Sequence, residues 1–214
     1  MKRVFIFFLT AIATMITVNA QDIKLPAPST SGGLSINEAL NRRRSIKEYD
    51  TGRDLTMQQI ANLLWAGAGI NRPDEGLRTN PTALNSQEID LYLFTKKAVY
   101  RYDCATHKLE LKAQGDHRSL VAGDNNFTQD FVLDAPVAVV IVADTNKLPI
   151  APAMQYSTAA CDAGYVSENI CLFCAGNGLA TRPRMSMDHD GIAALLGLKE
   201  GVVPILNNPV GYAR

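Results

Sequence analysis

Apolar and polar residues follow two different periods along the chain. Residues 35–38 and 56–59 each place a hydroxyl residue three positions before Glu or Gln, which is the capping pattern that precedes a helix. We therefore predict one helix over about residues 36–44 and a second that ends at the glycines after residue 66. Residues 162–177 are apolar almost all round, which predicts a long buried helix.

Strand patterns occupy much of the remaining chain. Residues 89–95 alternate in polarity, and residues 99–102 and 108–112 predict a hairpin. The continuous β-branched run at residues 136–143 predicts a central strand that is buried on both faces. A last strand is expected at residues 202–206. Together these elements predict an α+β domain, with one sheet and helices on its faces.

The first residues carry an export pattern. A basic pair precedes an apolar run at residues 4–18, and small residues end at Ala20, as in a secretory signal peptide. The run is short for a membrane span, and a retained N-terminal anchor is the alternative. We expect residues 1–20 to be a cleaved signal, residues 21–34 an extended arm and residues 35–214 one domain. The protein would be exported, to the periplasm, with no stable membrane insertion.

Charge and cysteine content narrow the functional classes. The 214 residues carry 21 basic and 21 acidic side chains, so no bulk positive charge would recruit nucleic acid. The three histidines are scattered without metal-ligand spacing, and we expect no metal site. Cys171 and Cys174 have the spacing of a redox pair. Their place inside the apolar helix favours small hydrophobic side chains over a redox or metal role.

Positive charge is concentrated at one point of the chain. Residues 42–47 bring three guanidinium groups, a hydroxyl and an ammonium to the end of the first helix. Such donors suit a phosphate and the carbonyl edge of a ring. A solvated basic helix end, favoured by the helix dipole, is the alternative. A second polar segment covers residues 78–87 and begins within a predicted polar loop at residues 71–80. Its Pro-Thr step could also be an ordinary turn.

Five segments occur in one order along residues 35–214. They are Arg43-Arg44-Ser45-Ile46-Lys47, Leu63 to Ile70, Arg78 to Gln87, Tyr100 to Asp103 and Gly178 to Thr181. In this order and spacing the chain resembles the FMN-dependent nitroreductase family, closest to its SagB/ThcOx-type dehydrogenase branch. The resemblance implies a nitroreductase-like α+β fold with a mixed, mainly antiparallel central sheet flanked by helices. It also implies a domain-swapped type of homodimer with FMN at the interface.

The resemblance further implies which residues bind the cofactor. They are Arg43, Arg44, Ser45, Lys47, Pro81, Thr82, Ala83, Leu84, Asn85, Met185, Ser186 and Arg214. Residues 43–45 would hold the phosphate and ribityl chain, Lys47 would tune the flavin at its N1/O2 edge, and residues 81–85 would come from the partner subunit. Backbone amides at 185–186 would face the N5/O4 edge, Arg214 the phosphate, and Asp124 to Asn126 the ring. No catalytic side chain is expected, because flavin N5 carries the chemistry.

Three functions are open at this point. The first is an FMN-dependent oxidoreductase that passes hydride or electrons from a reduced donor such as NAD(P)H to a nitroaromatic, a quinone or a similar small molecule. The second is a SagB/ThcOx-type dehydrogenase or oxidase of a peptide azoline or another small substrate. The third is an exported flavin-binding or degenerate interaction protein without turnover. Departures from the family pattern at Glu88-Ile89, Arg182 and Arg184 bear on substrate access.

Overall fold

A computed structural model describes residues 20–124 and 126–214 of the chain. Except for Ala20, the expected signal peptide lies outside the described residues, and its cleavage stays a prediction. Within the described ranges, none of the helices combines the length and the hydropathy that a membrane crossing requires.

Helices and strands alternate along the described part of the chain. The helices are α1 (Ile36–Arg42), α2 (Met57–Ala68), α3 (Arg118–Ala122), α4 (Phe131–Asp134), α5 (Pro152–Gly176) and α6 (His189–Leu196). The strands are β1 (Ile23–Lys24), β2 (Ile70–Arg72), β3 (Leu77–Arg78), β4 (Ile89–Thr95), β5 (Ala98–Asp103), β6 (Lys108–Gln114), β7 (Val137–Asp144), β8 (Ala180–Thr181) and β9 (Val202–Gly211). Single turns of 3-10 helix lie at Ala83–Asn85 and Thr145–Lys147.

Seven of these strands form one sheet, in the order β1-β6-β5-β4-β7-β9-β8. Each neighbouring pair in that order is antiparallel. β7 lies between β4 and β9, and its side chains are buried from Val137 to Ala143. The predicted central strand is therefore confirmed, and so is the α+β fold with a mainly antiparallel sheet. A continuous β-branched run suits this place because helices cover both faces of the sheet.

The two faces of the sheet belong to two hydrophobic clusters. Along β4, Leu91 and Leu93 pack in the cluster that contains α2 and α5, whereas Tyr92 and Phe94 pack in the cluster that contains α6. Successive side chains of a strand point to opposite faces, so both faces of β4 are buried. A register shift of one residue would exchange the two sets, which fixes how β4 pairs with β5 and β7.

Both predicted capping boxes are present at the starts of α1 and α2. The Ser35 amide donates to the Glu38 carboxylate at 3.0 Å, and the Glu38 amide donates to the Ser35 hydroxyl at 3.3 Å. Thr56 and Gln59 make the same reciprocal pair. Each box satisfies amides that have no partner inside the helix, which is why the two helix starts could be predicted.

The end of α1 was predicted wrongly. The helix stops at Arg42 rather than near Arg44, and Arg43 already has a ψ of 123°. Beyond it the chain is extended, and the Ile46 amide donates to the Thr181 carbonyl of β8 at 3.0 Å. A long-range hydrogen bond to the sheet replaces the last helical turn, and a local pattern cannot show that.

Three other predictions need correction. Residues 71–80 contain the short β2–β3 hairpin, closed by a turn at Gly76, rather than only a loop. Helix α5 begins ten residues before the predicted start, at Pro152, and one side of it is exposed at Met154 and Tyr165, so it is not buried all round. β9 continues through Pro209 instead of stopping before it. Short β8 leaves most of one side of β9 without a partner strand, where proline is tolerated.

The N-terminal arm is extended, as predicted, but it is also packed. β1 pairs with β6, and Leu25 is buried in the main core. The Leu25 amide donates to the His107 carbonyl at 3.2 Å, and His107 Nε2 lies 2.9 Å from the Pro26 carbonyl. The first part of the arm therefore contributes a strand and a core side chain to the domain.

Candidate functional site

The basic segment that follows α1 is docked at the edge of the sheet formed by β8 and β9. Tyr49 is buried, and its hydroxyl lies 3.2 Å from the Ile46 carbonyl and 3.1 Å from the Pro209 carbonyl, the two acceptors for its single proton. Burial raises the pKa of Tyr49, which keeps the hydroxyl protonated. The position of residues 43–47 is thus set by a buried tyrosine and by the sheet.

Lys47 and Arg214 meet at one depression of about 300 Å³. The Arg214 amide donates to the Glu48 carbonyl at 3.0 Å, which ties the C-terminal residue to the basic segment. Asp134 also lines the depression, yet neither basic side chain forms an ion pair within the described residues. Glu48 lines the depression as well, so two basic and two acidic side chains surround it.

Arg43, Arg44 and Ser45 lie on the exposed stretch before Lys47. Arg43 Nε is 3.9 Å from Glu168 Oε1 of α5, and both side chains are well exposed. A pair of this length at the surface contributes little to stability, so the Arg43 guanidinium stays available to a ligand. Arg44 has no acidic partner in the part of the chain that the structure describes.

Arg184 is buried, with 6% of its surface exposed, and each of its guanidinium nitrogens donates a hydrogen bond. The acceptors are Gln129 Oε1 (2.8 Å), the carbonyls of Val121 (2.8 Å) and Ala122 (2.9 Å), and Asn207 Oδ1 (2.9 Å). Burial lowers the pKa of Arg184 to about 10, so the side chain remains charged near neutral pH. Arg184 joins the chain around α3 and α4 to β9.

Met185 and Ser186 follow Arg184 along the outer side of β9. Arg184 and Asn207 exchange two backbone hydrogen bonds of 2.9 and 2.8 Å, and Asn207 Nδ2 donates to the Ser186 carbonyl at 3.1 Å. Among the residues that the structure describes, the amides of Met185 and Ser186 donate to no acceptor. Such donors are free to bind the acceptor edge of a ligand.

The expected ring contact at Asp124 to Asn126 lies on the turn after α3. Asp124 Oδ1 accepts hydrogen bonds from the amides of Asn126 (2.8 Å) and Phe127 (2.9 Å), and Asn125 lies outside the described residues. The carboxylate of Asp124 therefore stabilises its own turn through these two hydrogen bonds. The turn itself is attached to Arg184 through the Ala122 carbonyl.

The loop at residues 81–85 lies on another part of the molecule, against α5. The Ala83 amide donates to Asp162 Oδ2 at 2.8 Å. Leu84 and Asn85 have left-handed backbone angles, with φ of 54° and 55°. This conformation costs energy for residues other than glycine and persists only where surrounding contacts enforce it. Asp162 supplies one such contact from α5.

A cleft of about 520 Å³ lies between this loop and α5. Its walls are Pro81, Thr82, Ala83, Ser157, Thr158, Cys161, Asp162 and Tyr165. Glu88 is fully buried beside Asp162. Burial and the neighbouring Asp162 together raise the pKa of Glu88 to about 7, and Arg78 opposes the rise.

Ser186 and Glu88 are far apart in one chain. Ser186 runs beside β9 at Asn207, which pairs with Val140 of β7, whereas the Glu88 carbonyl accepts from Asp144 at the end of β7. Three strand spacings of about 4.8 Å and four residues of strand rise separate Ser186 from Glu88 by roughly 20 Å. A tricyclic flavin ring cannot touch both places in the same chain.

A family model described as the nitroreductase family matches residues 40–212 of this chain. The chain belongs to the nitroreductase family. A solved structure of a candidate nitroreductase from Ralstonia eutropha JMP134 is 34% identical, covers 93% of this chain and 92% of that chain, and has a TM-score of 0.84. None of the curated proteins matches the sequence.

Two more distant structures share the fold of this nitroreductase-family protein. The Escherichia coli microcin synthetase McbBCD complex with truncated pro-MccB17 is 20% identical, over 97% of this chain and 85% of that chain, with a TM-score of 0.69. A candidate NADH oxidase from Clostridium acetobutylicum is 21% identical, over 82% and 87% of the two chains, with a TM-score of 0.58. Family membership makes this protein an oxidoreductase of a family that typically uses flavin.

Sequence reasoning missed several residues that organise this nitroreductase-family site. Asn207 and Asn208 are fully buried, and Asn208 accepts from Ser167 of α5 at 2.8 Å. Two adjacent asparagines inside an apolar strand pattern could have indicated a buried polar network, because buried amide side chains need hydrogen-bond partners. Asp162 gave a similar signal as a carboxylate within an apolar helix.

The cysteines of this nitroreductase-family chain form no disulfide within the described residues. All four are free, and Cys171 and Cys174 are buried. Burial raises the pKa of Cys171 to about 11 and that of Cys174 well above its ordinary value. Thiols in this state are poor nucleophiles and poor metal ligands. In the described residues, no group of histidine, cysteine and acidic side chains could hold a metal ion.

Proposed function

We propose that this protein is an FMN-dependent oxidoreductase that transfers electrons or hydride from a reduced donor such as NAD(P)H to a nitroaromatic, a quinone or a similar acceptor. The observation that carries the proposal is the depression lined by Lys47 and Arg214, two cations from distant parts of the sequence that form no ion pair in the described chain. Membership of the nitroreductase family supports the same conclusion.

The donor set fits a flavin mononucleotide. Arg43, Arg44 and Ser45 provide guanidinium groups and a hydroxyl for a phosphate, in exposed positions next to the Lys47 backbone. Arg214, which lines the depression, would bring a further guanidinium group to the phosphate from the C-terminal end of the chain. Charge-assisted bonds of this kind are the strong ones, and Arg presents a fork that matches phosphate.

The amides of Met185 and Ser186 fit the acceptor edge of a flavin ring. They are unused by the described chain, and the segment that bears them is fixed by Arg184 and Asn207. Bound FMN would supply reversible two-electron chemistry, and no acid or nucleophile from the protein is needed for it. Lys47 would place a positive charge near the ring and favour its reduced, anionic form.

We also propose a homodimer in which the loop at residues 81–85 completes the site of the partner. The separation of roughly 20 Å between Ser186 and Glu88, which follows this loop in the chain, supports a site that is divided between two chains. Large apolar side chains are exposed on α1, at Ile36 and Leu40, and on α5, at Tyr165, as expected for helices that pack against another chain. Sedimentation should give twice the monomer mass, and a monomer that binds FMN with undiminished affinity would contradict the divided site.

A second function, dehydrogenation of a peptide azoline or a similar substrate as in the SagB/ThcOx branch, has one observation in its favour. The McbBCD complex aligns over nearly the whole chain. We further propose that the protein is exported to the periplasm, on the basis of the apolar run at residues 4–18. In that location the electron donor would differ from cytoplasmic nicotinamides.

The absorption spectrum of the purified protein tests these proposals. The protein would be incubated with FMN, separated from free FMN by gel filtration and mixed with NADPH without oxygen. A retained flavin band that bleaches supports the oxidoreductase with NAD(P)H as donor. Oxygen consumption with a peptide azoline and without NADPH favours the second function. A retained band with no turnover on any donor would indicate flavin binding alone, and no retained flavin would refute the FMN proposal.

A further inference from the structure

Glu88 is a buried carboxyl group whose oxygens form no hydrogen bond in the described chain, and its own backbone amide, which lowers its pKa, only partly offsets the effect of burial. Its exposed fraction is 0%, and neither Oε1 nor Oε2 has a partner. The charged groups that face it are Asp162 of α5 and Arg78 of β3. Arg78 Nη1 donates to the Ile89 carbonyl at 2.7 Å and its Nε has no partner, so Arg78 attracts Glu88 without bonding to it. An ionised carboxylate in this place is unfavourable.

Asp162 faces Glu88 on one side and the loop at residues 81–85 on the other. It is nearly buried, and its Oδ2 accepts the Ala83 amide at 2.8 Å. Tyr165 also interacts with Asp162, and its hydroxyl lies 3.5 Å from the sulfur of Cys161. The orientation of Asp162 thus depends on Glu88 and on the loop.

A single proton allows the two carboxyl groups to form a hydrogen bond instead of repelling each other. If both are ionised, two negative charges share a buried space and neither can donate a hydrogen bond. A proton on Glu88 lets that side chain donate to Asp162, whose Oδ2 still accepts the Ala83 amide. Burial and the neighbouring Asp162 raise the pKa of Glu88 to about 7, so the neutral acid is populated up to neutral pH.

We propose that Glu88 is a positioning residue for the loop at residues 81–85: as a neutral acid it donates to Asp162, which is thereby held against the Ala83 amide. The loop needs such support because Leu84 and Asn85 have left-handed backbones. Loss of the proton turns the support into repulsion. The effect of Glu88 on flavin rests on the proposed function, whereas its effect on the loop does not.

The first part of the test needs no flavin. In the purified full-length protein, the carboxyl carbon of Glu88 would be titrated by NMR, and hydrogen exchange of the Ala83 amide would be followed from about pH 6 to about pH 9, corrected for intrinsic exchange. Protection of Ala83 should fall about tenfold in the wild type, since one hydrogen bond of about 1.4 kcal/mol corresponds to a factor of ten. Glu88→Gln, which stays a neutral donor, should keep its protection throughout.

Glu75→Gln is the matched control, because it removes the charge of an exposed glutamate in the β2–β3 turn. It should behave as the wild type. Equal pH dependence in the wild type and in Glu88→Gln overturns the proposal. An ordinary titration of Glu88 in the wild type overturns it as well, and that measurement decides the question even if Glu88→Gln fails to fold.

The second part measures FMN affinity over the same pH range. Affinity should weaken about tenfold in the wild type and no more than about twofold in Glu88→Gln. Ionisation of the FMN phosphate is common to both proteins and cancels in the comparison. If FMN binds both with the same pH dependence, Glu88 does not act on the flavin site, although the proposed function stands. If FMN binds neither, the proposed function fails, and exchange of the Ala83 amide still decides the role of Glu88.

Discussion

Arg184 and Glu88 are both buried ionisable side chains beside the two halves of the proposed site, and their surroundings are opposite. Arg184 donates to four neutral acceptors within 2.9 Å, including the Val121 carbonyl and Asn207. Glu88 meets another carboxyl, Asp162, and its oxygens form no hydrogen bond in the described chain. Neutral dipoles satisfy a buried charge at any ordinary pH, whereas a second carboxyl makes the buried group depend on a proton.

The difference separates two kinds of support for a binding site. The network of Arg184 holds Met185 and Ser186 in one arrangement that does not respond to pH near neutrality. The pair of Glu88 and Asp162 holds its loop only while one proton is shared. Four predictions, from the largest expected effect to the smallest, test whether this contrast is real.

Removal of the Arg184 side chain should have the largest effect. Arg184→Leu leaves buried acceptors without a donor and should lower the free energy of unfolding by about 3–5 kcal/mol. The measurement is urea unfolding followed by fluorescence of Trp65. Arg182→Leu is the control, because Arg182 only approaches the Phe131 ring at 5.7 Å and its loss should cost less than about 1 kcal/mol. Equal losses of stability in the two variants would show that the buried hydrogen bonds of Arg184 contribute no more than the contact of Arg182 with the Phe131 ring.

Glu88→Gln should change how stability depends on pH. The pKa of Glu88 rises from 4.5 in the unfolded chain to about 7 in the folded protein. The folded state therefore holds a proton that the unfolded state has lost, and wild-type stability falls as pH rises from about 4.5 to about 7. At about 1.4 kcal/mol per pKa unit, Glu88→Gln should match the wild type near pH 4 and exceed it by about 3 kcal/mol near pH 8. Parallel curves in urea unfolding would show that Glu88 titrates normally.

Arg43→Ala removes an exposed guanidinium, for comparison with the removal of the buried guanidinium of Arg184. It should leave stability almost unchanged and weaken FMN binding by about 1.5–3 kcal/mol, or one to two decades, through the loss of one charge-assisted bond. Fluorescence titration of FMN measures the affinity. Lys147→Ala removes an exposed cation from the turn after β7 and should have no effect on binding. Unchanged affinity in Arg43→Ala would show that Arg43 does not bind the phosphate.

Glu168→Gln should have the smallest effect. The pair with Arg43 is 3.9 Å long and half exposed. Its loss should change the free energy of unfolding by less than about 1 kcal/mol. A larger loss in urea unfolding would mean that Arg43 is held by α5 and is not free for a ligand.

Local sequence patterns predicted a large part of the fold. The capping boxes at residues 35–38 and 56–59, the buried run of β7 and the hairpin of β5 and β6 depend on neighbouring residues and on the period of apolar positions. The family order of the motifs led to the nitroreductase family, which the match over residues 40–212 confirms.

Contacts between distant residues account for the errors. The extent of α1 depends on Thr181, and the packing of the N-terminal arm depends on His107. In each case a tertiary hydrogen bond outweighs a local preference of a fraction of a kcal/mol per residue. The exposed side of α5 was missed for a related reason, since apolar residues at the surface of one chain look the same in sequence as core residues.

The sequence by itself determined the helix starts, the central strand, the family and the local set of donors at residues 42–47, because these follow from spacing and residue type. Only the tertiary structure decided that Arg214 joins Lys47, that Arg184 is surrounded by neutral acceptors and that Glu88 meets Asp162. Burial and charge environment depend on which distant segments come together, and these set the protonation of a carboxyl group and the position of a loop.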